Sequence, residues 1–115
     1  MPFIRFSTNK KLSTAQNMTL KKDCGELVEL LPEKTESALM LHIEDDQVMY
    51  YQGKDDETMY IDMRLFGHVS RKDKEKFAKS LMESVEKITG IPSDHQFLTM
   101  SEYDQWGMQG GLIHK

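Results

Sequence analysis

An offset of 57 residues carries Ile4 onto Ile61, Val28 onto Val85 and Leu41 onto Leu98, and it brings one order of elements into register in both halves of the chain. In the first half, Phe3 to Phe6 reads as a short apolar strand. Ser13 followed by Gln16 has capping-box spacing, and Leu20, Cys24, Leu27, Val28 and Leu31 recur at three and four residues, which predicts an amphipathic helix ending near Pro32. Ala38 to Ile43 is an apolar run broken only by His42, and Gln47 to Tyr51 reads as a further extended piece before a polar turn. In the second half, Met59 to Phe66 alternates as a strand. Ser70 caps a helix carrying Phe77, Leu81, Val85 and Ile88, Gly90 and Pro92 stop it, and His95 to Met100 is the last full strand. Two such β-α-β units, with helices of about five turns, predict an α+β fold. Its four-stranded mixed sheet carries both helices on one face, because each helix has a single apolar stripe to bury.

At 115 residues the chain has room for one compact core, so residues 1–115 are expected to form a single domain. Apolar residues fall on both sides of Leu39 to Ile43 and of Phe97 to Met100, which predicts that the second sheet face is covered by another copy of the chain. The basic residues alternate with acids under a net charge of -4, which disfavours nucleic acid as a partner. The single cysteine, Cys24, excludes an internal disulfide or a paired-cysteine redox site. His42, His68, His95 and His114 are too widely spaced for a metal-ligand rhythm, and no metal or cofactor is expected. With neither a long apolar span nor a signal-peptide pattern, no membrane partner is expected. The expected location is cytoplasmic, with any export independent of a signal peptide.

Doubled β-α-β patterns also occur in ferredoxin-like binding modules, so the start of the chain discriminates. Pro2 follows Met1, Lys34 follows the first helix, and Leu41-His42-Ile43-Glu44-Asp45-Asp46-Gln47-Val48-Met49 places a histidine between apolar residues ahead of Asp-Gln-apolar-Met. Together these features resemble the tautomerase superfamily and its macrophage migration inhibitory factor branch, from Pro2 to about Gly110. The resemblance implies a homotrimer around a central channel, with sites between subunits. It also implies keto-enol tautomerisation of phenylpyruvate-like α-keto acids, in which Pro2 is general base and acid once Met1 is removed. Read alone, Pro2 only begins a strand, where its missing N–H costs nothing.

Tautomerisation needs a group that both takes and returns a proton, and a cationic or hydrogen-bonding clamp for the substrate carboxylate. The resemblance assigns the clamp to Lys34, which by itself reads as an exposed lysine near a helix end. It assigns to Phe66 a backbone N–H beside the bound carboxylate, with Gly67 allowing close approach. The remaining substrate positions implied are Phe97, Thr99 and Met108, where better-known members carry tyrosine, asparagine and tryptophan. Thr58 and Ile61 replace the family's cysteine pair, so no thiol oxidoreductase activity is expected. Arg64 and His68 flank Phe66 and read first as solvated strand-end groups, with added positive potential at the pocket as the alternative, while Trp106 reads as packing at a subunit junction. A non-catalytic trimeric signalling or binding protein is the alternative function.

Overall fold

The computed structural model describes residues 2–115. Its elements are β1 (Pro2–Thr8), α1 (Thr14–Leu27), β2 (Met40–Glu44), β3 (Met59–Phe66), α2 (Arg71–Thr89), β4 (Gln96–Tyr103), β5 (Gln105–Met108) and β6 (Gly111–His114). The first four strands make one mixed sheet in the order β2-β1-β3-β4, and β5 and β6 form a separate hairpin.

The register carries the internal repeat into three dimensions. In the parallel pair β1/β2, Phe3 lies beside Met40; 57 residues on, Tyr60 lies beside Phe97 in the parallel pair β3/β4. The two halves therefore pair their strands with the same step. The central antiparallel pair places Arg5 directly opposite Asp62, residues that are themselves 57 apart, so the approximate two-fold axis of the repeat passes between them.

Alternation along the strands decides the faces. Ile4 and Phe6 of β1 and Met59, Ile61, Met63 and Leu65 of β3 are fully buried beneath the helices. They meet Leu20 and Cys24 of α1, Val28 and Leu31 beyond it, and Phe77, Leu81 and Val85 of α2 in one core. Burial of Cys24, and secondarily the neighbouring Asp23 charge, pushes its thiol up to about 12, so it holds no thiolate at neutral pH.

The capping box forms as the sequence predicts: Ser13 accepts from the Gln16 N–H, and the Gln16 side chain accepts from the Ser13 N–H. Helix α1 is shorter than expected at 14 residues. It continues as a 3-10 turn over Val28–Leu30 and stops there, because Pro32 disfavours helical geometry at Leu31, which is extended (ψ 128°). Helix α2 has 19 residues and ends on Gly90, whose φ of 79° gives the left-handed cap that glycine supplies without strain.

Three expectations are corrected. Gln47 to Tyr51 is not a strand: it lies in a loop tied to the end of β1 by N–H bonds from Asp46 and Gln47 to the carbonyls of Lys10 and Thr8. The Asn9 side chain holds the same loop, donating to the carbonyls of Met49, Asp55 and Asp56 and accepting from the Thr58 N–H. Secondly, the last strand of the main sheet runs on to Tyr103, and a hairpin follows it. That hairpin turns at Gln109 (φ 51°) and Gly110 (φ 80°), the pair of positive angles that a tight two-residue turn requires. Thirdly, the open sheet face is less apolar than expected. Leu41, Ile43, Leu98 and Met100 pack toward the core. The middle of the open face holds Arg5, Asp62 and Arg64 in one ion cluster, and His42, 3.6 Å from Glu44, is there as well rather than in the interior.

Candidate active site

Pro2 heads β1 opposite Leu65 and is buried. A proline is tolerated at this first strand position because the missing N–H removes no interior ladder bond. Beside it opens a cleft of about 600 Å³, lined among the described residues by Pro2 and Phe3 of β1, Ala38 just before β2 and Met40 at its start, Arg64 of β3, and Tyr103 with residues 105–108. The hairpin supplies one wall. Trp106 stands edge-on to Tyr103 at 6.2 Å between ring centroids and lies tilted against Phe66 at 6.3 Å.

Lys34 reaches this end of the sheet through a tight turn. The Lys34 N–H donates to the Leu31 carbonyl at 3.1 Å, with Pro32 and Glu33 (φ 65°) as the two central residues. Proline followed by a positive φ is the pattern of a type II turn. It turns the lysine inward, where it is only 8% exposed and its Nζ donates to the Phe66 carbonyl at 3.0 Å. Desolvation and the nearby Lys115 ammonium lower the Lys34 pKa, and Glu33 and Glu102 act against that shift. Phe66 is therefore met by Lys34 through its carbonyl, while the Lys115 ammonium lies 5.5 Å from its ring centroid. Gly67, at φ 89°, lets the chain leave β3 with its N–H on the Tyr103 carbonyl at 2.7 Å.

The protomer thus brings Pro2 and Met108 together in the cleft, and brings Lys34 and Phe66 together beside Leu65, the residue opposite Pro2. Phe97 and Thr99 do not join them. They lie at the levels of Tyr60 and Asp62, toward the other end of the sheet. There Phe97 meets the Tyr51 ring edge-on at 4.9 Å, and Thr99 shares a 2.8 Å hydroxyl contact with Tyr60. His68, just past the end of β3, has its Nε2 in a 2.7 Å hydrogen bond with Asp104 Oδ1. Among the described residues, no group of three His, Cys, Asp or Glu side chains is placed to hold a metal ion. Phe3, an apolar neighbour expected beside Pro2, does line the cleft, and Ala38, Met40 and Tyr103 join it without having been singled out by the sequence. The available signal was the Gln109-Gly110-Gly111 turn between Trp106 and Ile113, which marks a hairpin able to fold back toward the head of β1.

Comparison with known proteins agrees with this architecture. Leishmania major MIF2 superposes with a TM-score of 0.90 at 18% identity, covering 98% of this chain and 97% of that one. The macrophage migration inhibitory factor homologue of Prochlorococcus marinus gives 0.85 at 19% identity, covering 96% and 98%. Pt0534, crystallised after inactivation by 2-oxo-3-pentynoate, gives 0.82 at 16% identity, covering 97% and 95%. No curated protein sequence matches the chain. A four-stranded mixed sheet with two helices on one face, built from a doubled β-α-β unit, is the tautomerase-superfamily fold. The sequence profile of macrophage migration inhibitory factor matches residues 1–112, and the chain belongs to that family.

Proposed function

We propose that the chain is a keto-enol tautomerase of phenylpyruvate-like α-keto acids, with Pro2 as the proton-transfer group. The observation that carries this reading is the seat of Pro2, buried at the head of β1 and opening on an aromatic-walled cleft with Lys34 held nearby. With Met1 removed, Pro2 has a secondary amine at that position. Its free nitrogen accepts the enol O–H proton and returns it to the adjacent carbon, so that one proton moves and the rest of the substrate is unchanged.

Pt0534 is inactivated by 2-oxo-3-pentynoate, an α-keto acid whose alkyne accepts nucleophiles. The same compound tests Pro2. The amine nitrogen adds to the far alkyne carbon, and the proton it loses ends on the carbon next to the ketone, so the product retains the full mass of the reagent. One adduct per chain is expected, mapped to Pro2 by peptide mass spectrometry and absent from protein that keeps Met1. Labelling elsewhere, or none, counts against the reading. A non-catalytic binding protein would share the fold and take up no adduct at Pro2.

The active form is proposed to be a homotrimer. Supporting this are the open edges of β2 and β4 and the exposed apolar residues along them and on the hairpin, including Met40, Phe97, Leu112 and Ile113. A neighbour would also be the route by which Phe97 and Thr99 reach a Pro2 cleft, since within one protomer they lie away from it. Sedimentation at micromolar concentration should give three times the 13.4 kDa chain mass. A monomer there would remove the intersubunit site.

A further inference from the structure

Among the described residues that line the Pro2 cleft, Arg64 alone carries a charged side chain. Lys34 has its ammonium on the Phe66 carbonyl and is not one of the lining residues. Two residues before Arg64 on the same strand face is Asp62, whose Oδ2 accepts from Arg64 Nη2 at 3.2 Å. The same oxygen accepts from Nη2 of Arg5, directly across the antiparallel pair, also at 3.2 Å. Two guanidinium groups thus share one carboxylate, leaving the trio with one net positive charge. Asp62 raises the Arg64 pKa further above its already high value, so the guanidinium is always charged.

The group is also held in place. Arg64 lies over the Phe3 ring at 5.9 Å from the centroid, and Phe3 is its direct partner across the strands. Asp62 occupies a single Nη2 donor of a planar fork that has five, which leaves the fork able to meet a second carboxylate in two-point geometry. The next residue along β3, Leu65, is the one that faces Pro2. A carboxylate held by Arg64 would therefore have its adjacent carbons beside the head of β1. The walls provided by Met40, Trp106 and Met108 are apolar, which suits a hydrophobic substituent.

We propose that Arg64 is the carboxylate anchor of this cleft, binding 2-oxo acids that carry an apolar or aryl substituent. The inference rests on the reading of the cleft as a 2-oxo acid site. It assigns to Arg64 the primary contact that the family resemblance gives to Lys34.

The test uses 3-phenylpropanoate and 3-phenylpropanamide, a carboxylate and its neutral isostere, titrated calorimetrically into the full chain. Neither probe is a 2-oxo acid, so the result does not depend on turnover, and the reaction itself is judged separately by the Pro2 adduct. The unmodified protein should favour the acid over the amide by about tenfold or more, the range of a charge-assisted hydrogen bond. Arg64→Met should abolish that preference and leave amide affinity unchanged, with Arg64→Gln as a second variant should the first fail to fold. Arg64→Lys should restore only part of it, because a point charge lacks the fork. The proposal is overturned if the unmodified protein shows no acid preference. It is overturned equally if the preference survives loss of the arginine, or if it disappears in Lys34→Met and not in Arg64→Met.

Discussion

Protein that keeps Met1 should turn over phenylpyruvate about a hundredfold or more slowly than protein whose chain begins at Pro2, since a positioned general base contributes roughly 10² to 10⁴ in rate. The cause is electronic. In the longer form the Pro2 nitrogen is an amide, whose lone pair is delocalised into the carbonyl and cannot accept a proton. In the processed form, activity should depend on the unprotonated amine. As pH falls through the amine's pKa, the nitrogen gains a proton and loses its lone pair, so the ketonisation rate falls on the acid side and is retained above it. The blocked form should show no corresponding limb, because it has no amine at that position to titrate. Stopped-flow or absorbance assays on both forms, with intact mass confirming each, provide the comparison. Equal rates for the two forms would falsify the mechanism.

Phe6→Ala should destabilise the fold by about 3 to 5 kcal/mol, the cost of emptying a fully buried aromatic position. Phe6 lies on β1 between Ile43 of β2 and Ile61 of β3, on the sheet face covered by the helices. β1 is itself hydrogen-bonded to a strand on each side, which limits how far the sheet can collapse into the space. Since typical domains are stable by about 5 to 15 kcal/mol, this one change removes a large share of the total. A denaturant titration should show a lowered midpoint. Protein concentration must be held fixed, because assembly adds concentration-dependent stability. A loss below about 1 kcal/mol would mean that the strand face is repacked, at odds with the β1 register described above.

Much of this architecture was legible because it is written in short-range chemistry. Apolar periodicity marks the helices through Leu20 and Cys24, then through Phe77, Leu81 and Val85, all of which are buried. The Ser13–Gln16 capping box and the Gly90 stop are contacts within a few residues, readable without knowing the fold. The 57-residue offset reaches further, since it anticipates a repeated strand step that the sheet register reproduces. Pro32 marks the helix stop in the sequence, and the turn it begins is also what directs Lys34 inward.

The tertiary structure decided what depends on partners distant in sequence. The loop after β2 is held by Asn9, a side chain about 40 to 49 residues away in sequence, so the local pattern at Gln47 to Tyr51 could not reveal that it is not a strand. The aromatic wall of the cleft exists because a terminal hairpin folds back to the head of β1, and its placement depends on long-range bonds such as that from Gly67 to Tyr103. From sequence alone Arg64 is either a solvated strand-end residue or a source of positive potential at the pocket, with nothing local to choose between them. Only the pairing of β1 with β3 sets Arg5 opposite Asp62 and Phe3 opposite Arg64, turning separate charges into a cluster with one positive charge in excess. Periodicity and spacing determine which face a side chain takes, because the backbone repeat is local. Which groups then meet across that face is set by strand order and register, and those follow from burying the whole core at once.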